Sequence, residues 1–212
     1  IFIYPHGQSL AISGPMEVFS LATTQHRDET QGGEALYELH YLAESLDPVR
    51  MASNLVIQPD LSLQCDTTSF HTLLISGGMD PGPEQVRASV KLISDLKRRA
   101  LSAQRVGSVC SGALILAATG LLDGRKATTH WSDAHRLGQL HPKVTVIPDA
   151  IYVRDEGFWT SAGITAGMDM ALAMVAQDHG MPLALKVAKR MVMVTKRSGG
   201  QTQFSDQLQA QN

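Results

Sequence analysis

The stretch that decides the fold is "RVGSVCSGALILAATG", residues 105–120. A short run of β-type residues passes directly into a run rich in Ala, Leu and Gly, and Cys110 stands at the junction. This pattern is typical of a nucleophile elbow, a sharp strand-to-helix turn that needs small residues two positions before and after the reactive side chain. Ser108 and Gly112 occupy those positions. The pattern leaves open whether Cys110 is a nucleophile, part of a ligand pocket or a small buried residue.

Strand and helix patterns alternate along the chain on both sides of this junction. Short apolar runs predict strands at residues 1–7, 35–45, 54–63, 72–78 and 105–109, and two more within 143–162. Helical patterns lie at residues 13–25, 82–102, 112–122, 163–180 and 182–193. The alternation predicts an α/β domain in which helices sandwich a largely parallel sheet. Sites in such sheets gather at the carboxyl ends of the strands, where Cys110 lies.

Composition excludes several classes of protein. The 212 residues are 43% hydrophobic and 18% charged, which is typical of one globular domain with a substantial core. The net charge of −2 gives no sign of a nucleic-acid-binding surface. Two cysteines, Cys65 and Cys110, do not form a disulfide framework, which favours a reducing cytoplasm. The most apolar segment contains Asp169 and is too short to span a membrane.

Several other positions can assist Cys110 chemically. The N-terminus of the helix that follows it is expected to lower the thiol pKa and to stabilise the thiolate. His130 can orient or deprotonate the thiol, and a protonated Glu17 can donate a hydrogen bond to the sulfur. The backbone N–H groups of Gly77–Gly78 can form an oxyanion hole with the N–H group of Ser111.

Each of these assignments has a structural alternative. His130 can satisfy backbone groups, and Gly77–Gly78 can form only a turn. Glu17 can stabilise a helix dipole, because Ser13 is predicted as an N-cap with Pro15 in the first turn of its helix. Taken singly, the structural alternatives have at least equal weight. It is the joint arrangement that favours a functional site.

The chain resembles the ThiJ/PfpI superfamily, a flavodoxin-like branch of the class I glutamine-amidotransferase-like fold. The segments that carry this resemblance are "GPMEVFS" at 14–20, "LLISGG" at 73–78 and "VCSGALILAATGLLDGRKATTHW" at 109–131. The resemblance implies a triad-like catalytic site of Cys110, Glu17 and His130. It also implies one candidate function, a cysteine-dependent enzyme of the isonitrile hydratase, glyoxalase-like or deglycase-like type.

A second resemblance concerns the end of the chain. The segment "AKRMVMVTKRSGGQTQFS", residues 188–205, resembles the junction in AraC-type transcription regulators that carry such a domain before their helix-turn-helix motifs. The matching residues are Arg197, Gly199, Gly200, Gln201, Gln203 and Phe204. The resemblance implies a sensor domain at 1–195 and a linker at 196–212 that leads to a DNA-binding domain missing from this chain. It further implies a cytoplasmic homodimer with a small-molecule effector and no membrane partner.

One departure separates the chain from the hydratases that it resembles. Those enzymes carry "D-L-x-G-P" before the first helix, whereas this chain has "AISGP", with Ala11 in place of the aspartate. Ser111 also follows the cysteine where the hydratases tend to carry threonine. Both differences weaken the hydratase interpretation and leave the regulator interpretation untouched.

Regulators of the branch that this chain resembles respond to small nitrogenous metabolites, such as amino acids and quaternary amines. The expected ligand-binding residues are Glu17, Gly77, Gly78, Cys110, Ser111, His130 and Trp131. Trp131 can hold a cation over its ring, or it can be a core aromatic. A ligand carboxylate can lie at the N-terminus of the helix after Cys110.

No cofactor is implied, and no metal site is expected. His130 and His135 lie five residues apart, which does not place them on one helical face, and no zinc-type spacing of Cys and His occurs. A third function remains open at this point, a redox-sensing or chaperone-like role through oxidation of Cys110.

Overall fold

The computed structural model describes residues 1–66, 68–193 and 197–203. The strands are β1 (Leu42–Ala43), β2 (Val49–Arg50), β3 (Val56–Ile57), β4 (Leu61–Ser62), β5 (Thr72–Ile75), β6 (Arg105–Val109), β7 (Lys126–Ala127), β8 (Thr145–Val146), β9 (Tyr152–Asp155) and β10 (Phe158–Ser161). The helices are α1 (Ser9–Thr30), α2 (Gly82–Ala88), α3 (Val90–Ser102), α4 (Gly112–Ala118), α5 (Ala134–Leu140), α6 (Ile164–His179) and α7 (Met181–Arg190). Phe204, the last residue of the AraC-like pattern, lies outside the described residues.

The central sheet has the strand order β5–β6–β10–β9. β6 pairs in parallel with both β5 and β10, and only β9 runs antiparallel to its neighbour. Phe2 extends this sheet, because it forms parallel bridges both to Ile75 in β5 and to Leu42 in β1. The predicted strand at 1–7 is therefore reduced to a buried extended segment with bridges at Phe2. The prediction of a largely parallel α/β sheet is confirmed.

Helices cover both faces of the sheet, as the alternation predicted. On one face, α1, α6 and α7 bury side chains such as Ile12, Met170 and Val187 in one apolar cluster. On the other face, α3 and α4 bury Leu96 and Ile115 in a second cluster. A parallel sheet that is apolar on both faces needs such cover on each side. β6 lies between the two clusters, and Cys110 directly follows its last residue, Val109.

The starts of helices α1 and α3 differ from the prediction. Helix α1 begins at Ser9, so Ser13 is not its N-cap and Pro15 lies inside the helix. The helix predicted over 82–102 is divided at Ser89, whose hydroxyl accepts a hydrogen bond of 3.3 Å from the backbone N–H of Leu92. That bond caps the N-terminus of α3. A new helix therefore begins there, although the apolar periodicity continues through this point in the sequence.

Candidate functional site

Cys110 lies on the turn between β6 and α4 with a φ angle of +56°, in the left-handed region. Its N–H donates to the carbonyl of Ser161 at 3.0 Å, and its carbonyl accepts from the hydroxyl of Thr129 at 2.9 Å. The turn is so tight that a Cβ at Gly112 would lie 2.5 Å from the carbonyl oxygen of Ile75. The nucleophile-elbow geometry predicted from the sequence is therefore present.

The sulfur of Cys110 lies between the N-termini of two helices. The backbone N–H groups of Ser111, before α4, and of Ile164, the first residue of α6, both donate hydrogen bonds to it. At Gly163, with φ at +151°, a Cβ would lie 3.1 Å from Cδ2 of His130 and 3.4 Å from the sulfur. Gly163 thus lets the histidine and the cysteine come together. Gly163 and Ile164 were not predicted as site residues, although "SAGI" at 161–164 marks a second strand-to-helix junction at the same edge of the sheet.

Burial raises the pKa of the Cys110 thiol to about 11. The N–H group of Ser111 lowers this pKa, whereas the nearby carboxylate of Asp133 raises it further. Desolvation disfavours the thiolate more than the helix N-termini favour it. The pKa therefore shifts in the direction opposite to the one expected for the elbow.

The Gly77–Gly78 turn is locked to the elbow by one side chain. The Ser111 hydroxyl donates to the carbonyl of Gly78 at 2.7 Å and accepts from the N–H of Gly78 at 2.9 Å. The N–H groups of Gly78 and Ser111 that were expected to form an oxyanion hole therefore already have acceptors. The glycine pair does lie beside Cys110, as predicted, but it acts as a fixed wall of the site.

Gly77→Ala is expected to lower the free energy of unfolding by about 3 kcal/mol, because backbone atoms cannot move aside as side chains do. The new Cβ would lie 2.5 Å from the Cβ of Cys110 and 2.7 Å from the carbonyl oxygen of Val109. Gly138→Ala in α5 is the control, since its Cβ would meet nothing closer than 3.8 Å. That control is expected to be neutral or stabilising by up to about 1 kcal/mol. Urea unfolding measures both, and equal stability of the two variants would contradict the prediction.

His130 and Trp131 form the outer side of the site. His130 caps the 3₁₀ turn Trp131–Asp133, and its Nδ1 lies 2.7 Å from the hydroxyl oxygen of Ser132. The Trp131 side chain is 55% exposed, and its ring centroid lies 5.3 Å from that of His130. Trp131 is therefore not a core aromatic, and its indole is accessible beside the elbow.

Glu17 is not brought to Cys110, which corrects the predicted triad. It is exposed on α1, and its charge raises the pKa of Tyr41, although less than burial does. Tyr41 precedes β1 and thus lies at the amino edge of the parallel sheet, whereas Cys110 follows β6 at the carboxyl edge. Because α1 begins at Ser9, Glu17 is also too far from the helix start to favour the dipole.

Other carboxylates lie at the rim of the site, near His130, where Glu17 is absent. Burial raises the pKa of Asp133, against the opposing effects of His130 and Arg136. Arg136 in α5 donates to the carboxylates of Asp80, at 3.0 Å, and Glu84. Arg87 also lies close to Arg136, Asp80 and Glu84. The rim thus carries three carboxylates and two guanidinium groups, so acidic groups are in the majority there.

A cavity of about 570 Å³ lies at the opposite edge of the sheet. It is lined in part by Arg105, the first residue of β6, and by Asp178 and Tyr37. Arg105 donates two hydrogen bonds of 2.9 and 2.8 Å to Asp178, so the two charges neutralise each other. The cavity is separated from the elbow by the full length of β6.

The part of the chain that the structure describes shows neither a metal site nor a membrane-spanning helix. Within it, no group of three or more His, Cys, Asp or Glu side chains could hold a metal ion. The described helices also include none that is long and apolar enough to cross a membrane. The polar groups of the site are therefore those around Cys110, His130 and the acidic rim.

A flavodoxin-like α/β domain with a cysteine on a nucleophile elbow defines the class of protein. The chain matches the DJ-1/PfpI family over residues 3–177, and it belongs to that family. The resemblance to the ThiJ/PfpI superfamily is confirmed. A solved structure of a ThiJ/PfpI family protein from Pseudomonas syringae superposes with a TM-score of 0.77 at 30% identity, over 92% of this chain and 74% of that one.

Its relatives include both an enzyme and a regulator. Isonitrile hydratase from Pseudomonas putida is 31% identical over 185 residues, which are 86% of this chain and 72% of the hydratase. The HTH-type transcriptional regulator CdhR from Pseudomonas aeruginosa is 30% identical over 158 residues, which are 74% of this chain and 46% of the regulator. The matched region thus spans less than half of that regulator's length. Sequence identity alone does not distinguish an enzyme from a regulator. The distinction has to come from the chemistry of the site.

Proposed function

We propose that this chain is the ligand-sensing and dimerisation domain of a cytoplasmic AraC-type transcriptional regulator, whose DNA-binding domain is not part of the sequence. The observation that carries the proposal is the environment of Cys110, which is buried at the elbow. Burial raises the pKa of its thiol to about 11 and so disfavours the thiolate that a hydrolase or lyase of the elbow type needs. Here the elbow is kept in surroundings that do not favour an ionised nucleophile.

The missing carboxylic acid supports the same conclusion. Ala11 stands where the hydratases that this chain resembles carry aspartate, and its side chain is buried in the same apolar cluster as Cys110. Glu17 does not replace it, since it lies at the other edge of the sheet. The site keeps a polar junction at the carboxyl edge without the acid that would activate the cysteine.

The rim of the site favours a small nitrogenous cation as the effector. Trp131 lies partly exposed beside the elbow and can contribute its aromatic ring to the binding of a quaternary amine. Asp133 and the carboxylates around Arg136 supply negative charge at the rim. A carboxylate on the same ligand can approach the N-termini of α4 and α6. An amino acid or a betaine has both of these groups.

Ligand binding is proposed to act by population shift in a homodimer. An effector that binds one arrangement of the paired sensor domains more tightly shifts the equilibrium towards it. The two DNA-binding domains, outside this chain, would then be presented differently to paired half-sites.

A thermal-shift screen tests this function. We expect that one amino acid or betaine raises the melting temperature, because saturation at 100 times Kd adds about 2.7 kcal/mol to stability. The shift should persist in Cys110→Ala and disappear in Trp131→Ala or Asp133→Asn. A matched control is Asp123→Asn, which removes an exposed carboxylate from an ion pair of 3.1 Å with Lys143 outside the site.

The opposite pattern would favour the enzyme. The 31% identity with isonitrile hydratase makes a cysteine-dependent enzyme the second candidate. Its signature would be a response only to electrophiles or nitrile-like substrates, such as methylglyoxal or an alkyl isonitrile, that is lost in Cys110→Ala. That result would replace the sensor function.

A further inference from the structure

The segment that was expected to be a linker returns to the domain. Residues 197–203, called here the return segment, pair by backbone hydrogen bonds with the stretch before β9. The N–H of Ile151 donates to the carbonyls of Gly199 and Gln201 at 2.9 and 3.1 Å, and Thr202 bridges Ala150. A Cβ at Gly199 would lie 2.5 Å from the carbonyl oxygen of Tyr152, so this close approach requires glycine.

The first residue of the return segment clamps the start of α6. The guanidinium of Arg197 donates to Asp169, whose side chain is fully buried, from Nε at 2.9 Å and from Nη2 at 2.7 Å. Nη2 also donates to the hydroxyl of Thr165 at 3.0 Å. Thr165 is the next residue after Ile164, whose N–H contacts the sulfur of Cys110. Arg197 therefore fixes one of the two helix N-termini that meet the thiol.

The last described residue of the segment holds the other side of the site. The side-chain amide of Gln203 donates to the carbonyls of Thr129 at 3.0 Å and Pro148 at 2.5 Å. The hydroxyl of Thr129 in turn donates to the carbonyl of Cys110 at 2.9 Å, and His130 follows it in sequence. Gln203 therefore fixes the loop that carries the histidine of the site.

We infer that Arg197 and Gln203 are positioning residues of the Cys110 site and that the return segment transmits occupancy of this site to the chain beyond it. One seven-residue segment contacts both backbone elements that meet at the cysteine, α6 and the 128–130 loop. A ligand that shifts either element changes how firmly the segment is docked, and docking changes ligand affinity by the same factor. The inference rests on the proposed function for the nature of the ligand, but the mechanical coupling can be tested without one.

Adjacent glycines provide a matched pair of variants. Gly199→Ala forces a Cβ against Tyr152, whereas a Cβ at Gly200 has nothing within 4 Å. We expect Gly199→Ala to speed amide hydrogen exchange at Ile164 and at Thr128 by about tenfold or more, and Gly200→Ala to leave both rates unchanged. NMR-detected exchange measures the two amides individually. Faster exchange confined to Ile151 and the return segment would overturn the inference.

Glutamine variants keep the test valid if Gly199→Ala does not fold. Gln203→Met removes only the amide, and Gln201→Met is its control, because the Gln201 side chain accepts a bond of 3.3 Å from Ser198 within the segment itself. Gln203→Met is expected to speed exchange at Thr128 about tenfold while Gln201→Met does not. Equal rates in the two variants would overturn the positioning role.

Glycine betaine serves as the ligand probe. Its affinity, measured by calorimetry, is expected to fall at least about fivefold in Gln203→Met and to stay unchanged in Gln201→Met. Bound betaine should in return slow exchange at Ile151, whose N–H is held by the return segment. Betaine binding with equal affinity in both variants would overturn the coupling. Failure of every amine to bind would overturn the proposed function instead, and the exchange rates would still decide the role of the segment.

Discussion

Replacing Arg197 by methionine is expected to lower the free energy of unfolding by about 3–5 kcal/mol, because the change leaves a buried carboxylate without its counter-ion. Asp169 has no exposed side-chain surface, and it accepts hydrogen bonds from the backbone N–H of Arg197 at 3.1 Å and from its guanidinium at 2.9 and 2.7 Å. Methionine keeps much of the length and the apolar stem of arginine. Urea unfolding at pH 7 measures the loss.

A second arginine provides the control for this prediction. Arg190 lies 3.7 Å from Asp28, and both side chains are about half exposed, so Arg190→Met is expected to cost no more than about 1 kcal/mol. The double variant Arg197→Met with Asp169→Asn removes both charges and should recover part of the stability. Equal losses in Arg197→Met and Arg190→Met would contradict the argument and would mean that solvent reaches Asp169.

The elbow could be predicted from the sequence because its constraint is local. A strand that turns directly into a helix leaves no room for a side chain at the position of Gly112. The glycine at this position is therefore a sign of the turn that can be seen in the sequence. The pKa of Cys110 could not be predicted in the same way. Helix N-termini are visible in the sequence, but the burial that outweighs them comes from an apolar cluster to which α1 and α6 contribute from distant parts of the chain.

Glu17 shows where a local pattern misleads. "SGP" before Glu17 has the features of a helix start, with a serine cap and a proline in the first turn. The helix instead begins at Ser9, and Pro15 is accommodated inside it. The helix thus starts four residues earlier than predicted, which is more than one full turn. Glu17 lies farther along the helix, at the amino edge of the sheet and away from Cys110.

The docking of the return segment could not be predicted, because polar, glycine-rich sequences resemble linkers. Its partners are backbone N–H and carbonyl groups, one hydroxyl and one buried acid, which leave no apolar pattern in the segment. A signal was nevertheless present in α6, where Asp169 stands in an otherwise apolar helix. A buried carboxylate requires a cation, and Arg197 is the residue that supplies it.

Cys110 is expected to react with iodoacetamide at pH 8 at least about 20-fold more slowly than the exposed Cys65, since only the thiolate attacks. With a pKa of about 11, roughly one Cys110 in a thousand is ionised at pH 8, against about a quarter of ordinary thiols with pKa about 8.5. The greater nucleophilicity of a thiolate with a high pKa recovers about tenfold of that difference. Burial of the sulfur slows the reaction further.

The pH profile tests the cause as well as the rate. Alkylation of Cys110, followed by peptide mass spectrometry, should still be rising at pH 10, because the folded pKa lies above that value. Asp133→Asn should raise the rate at any given pH below 10, since Asp133 holds the thiol pKa up, while Asp123→Asn, far from the elbow, should not. A rate for Cys110 that exceeds that of Cys65 and levels off below pH 8 would show an activated thiolate. In that case the elbow would still perform nucleophilic chemistry, and the enzyme function would have to be preferred to the sensor.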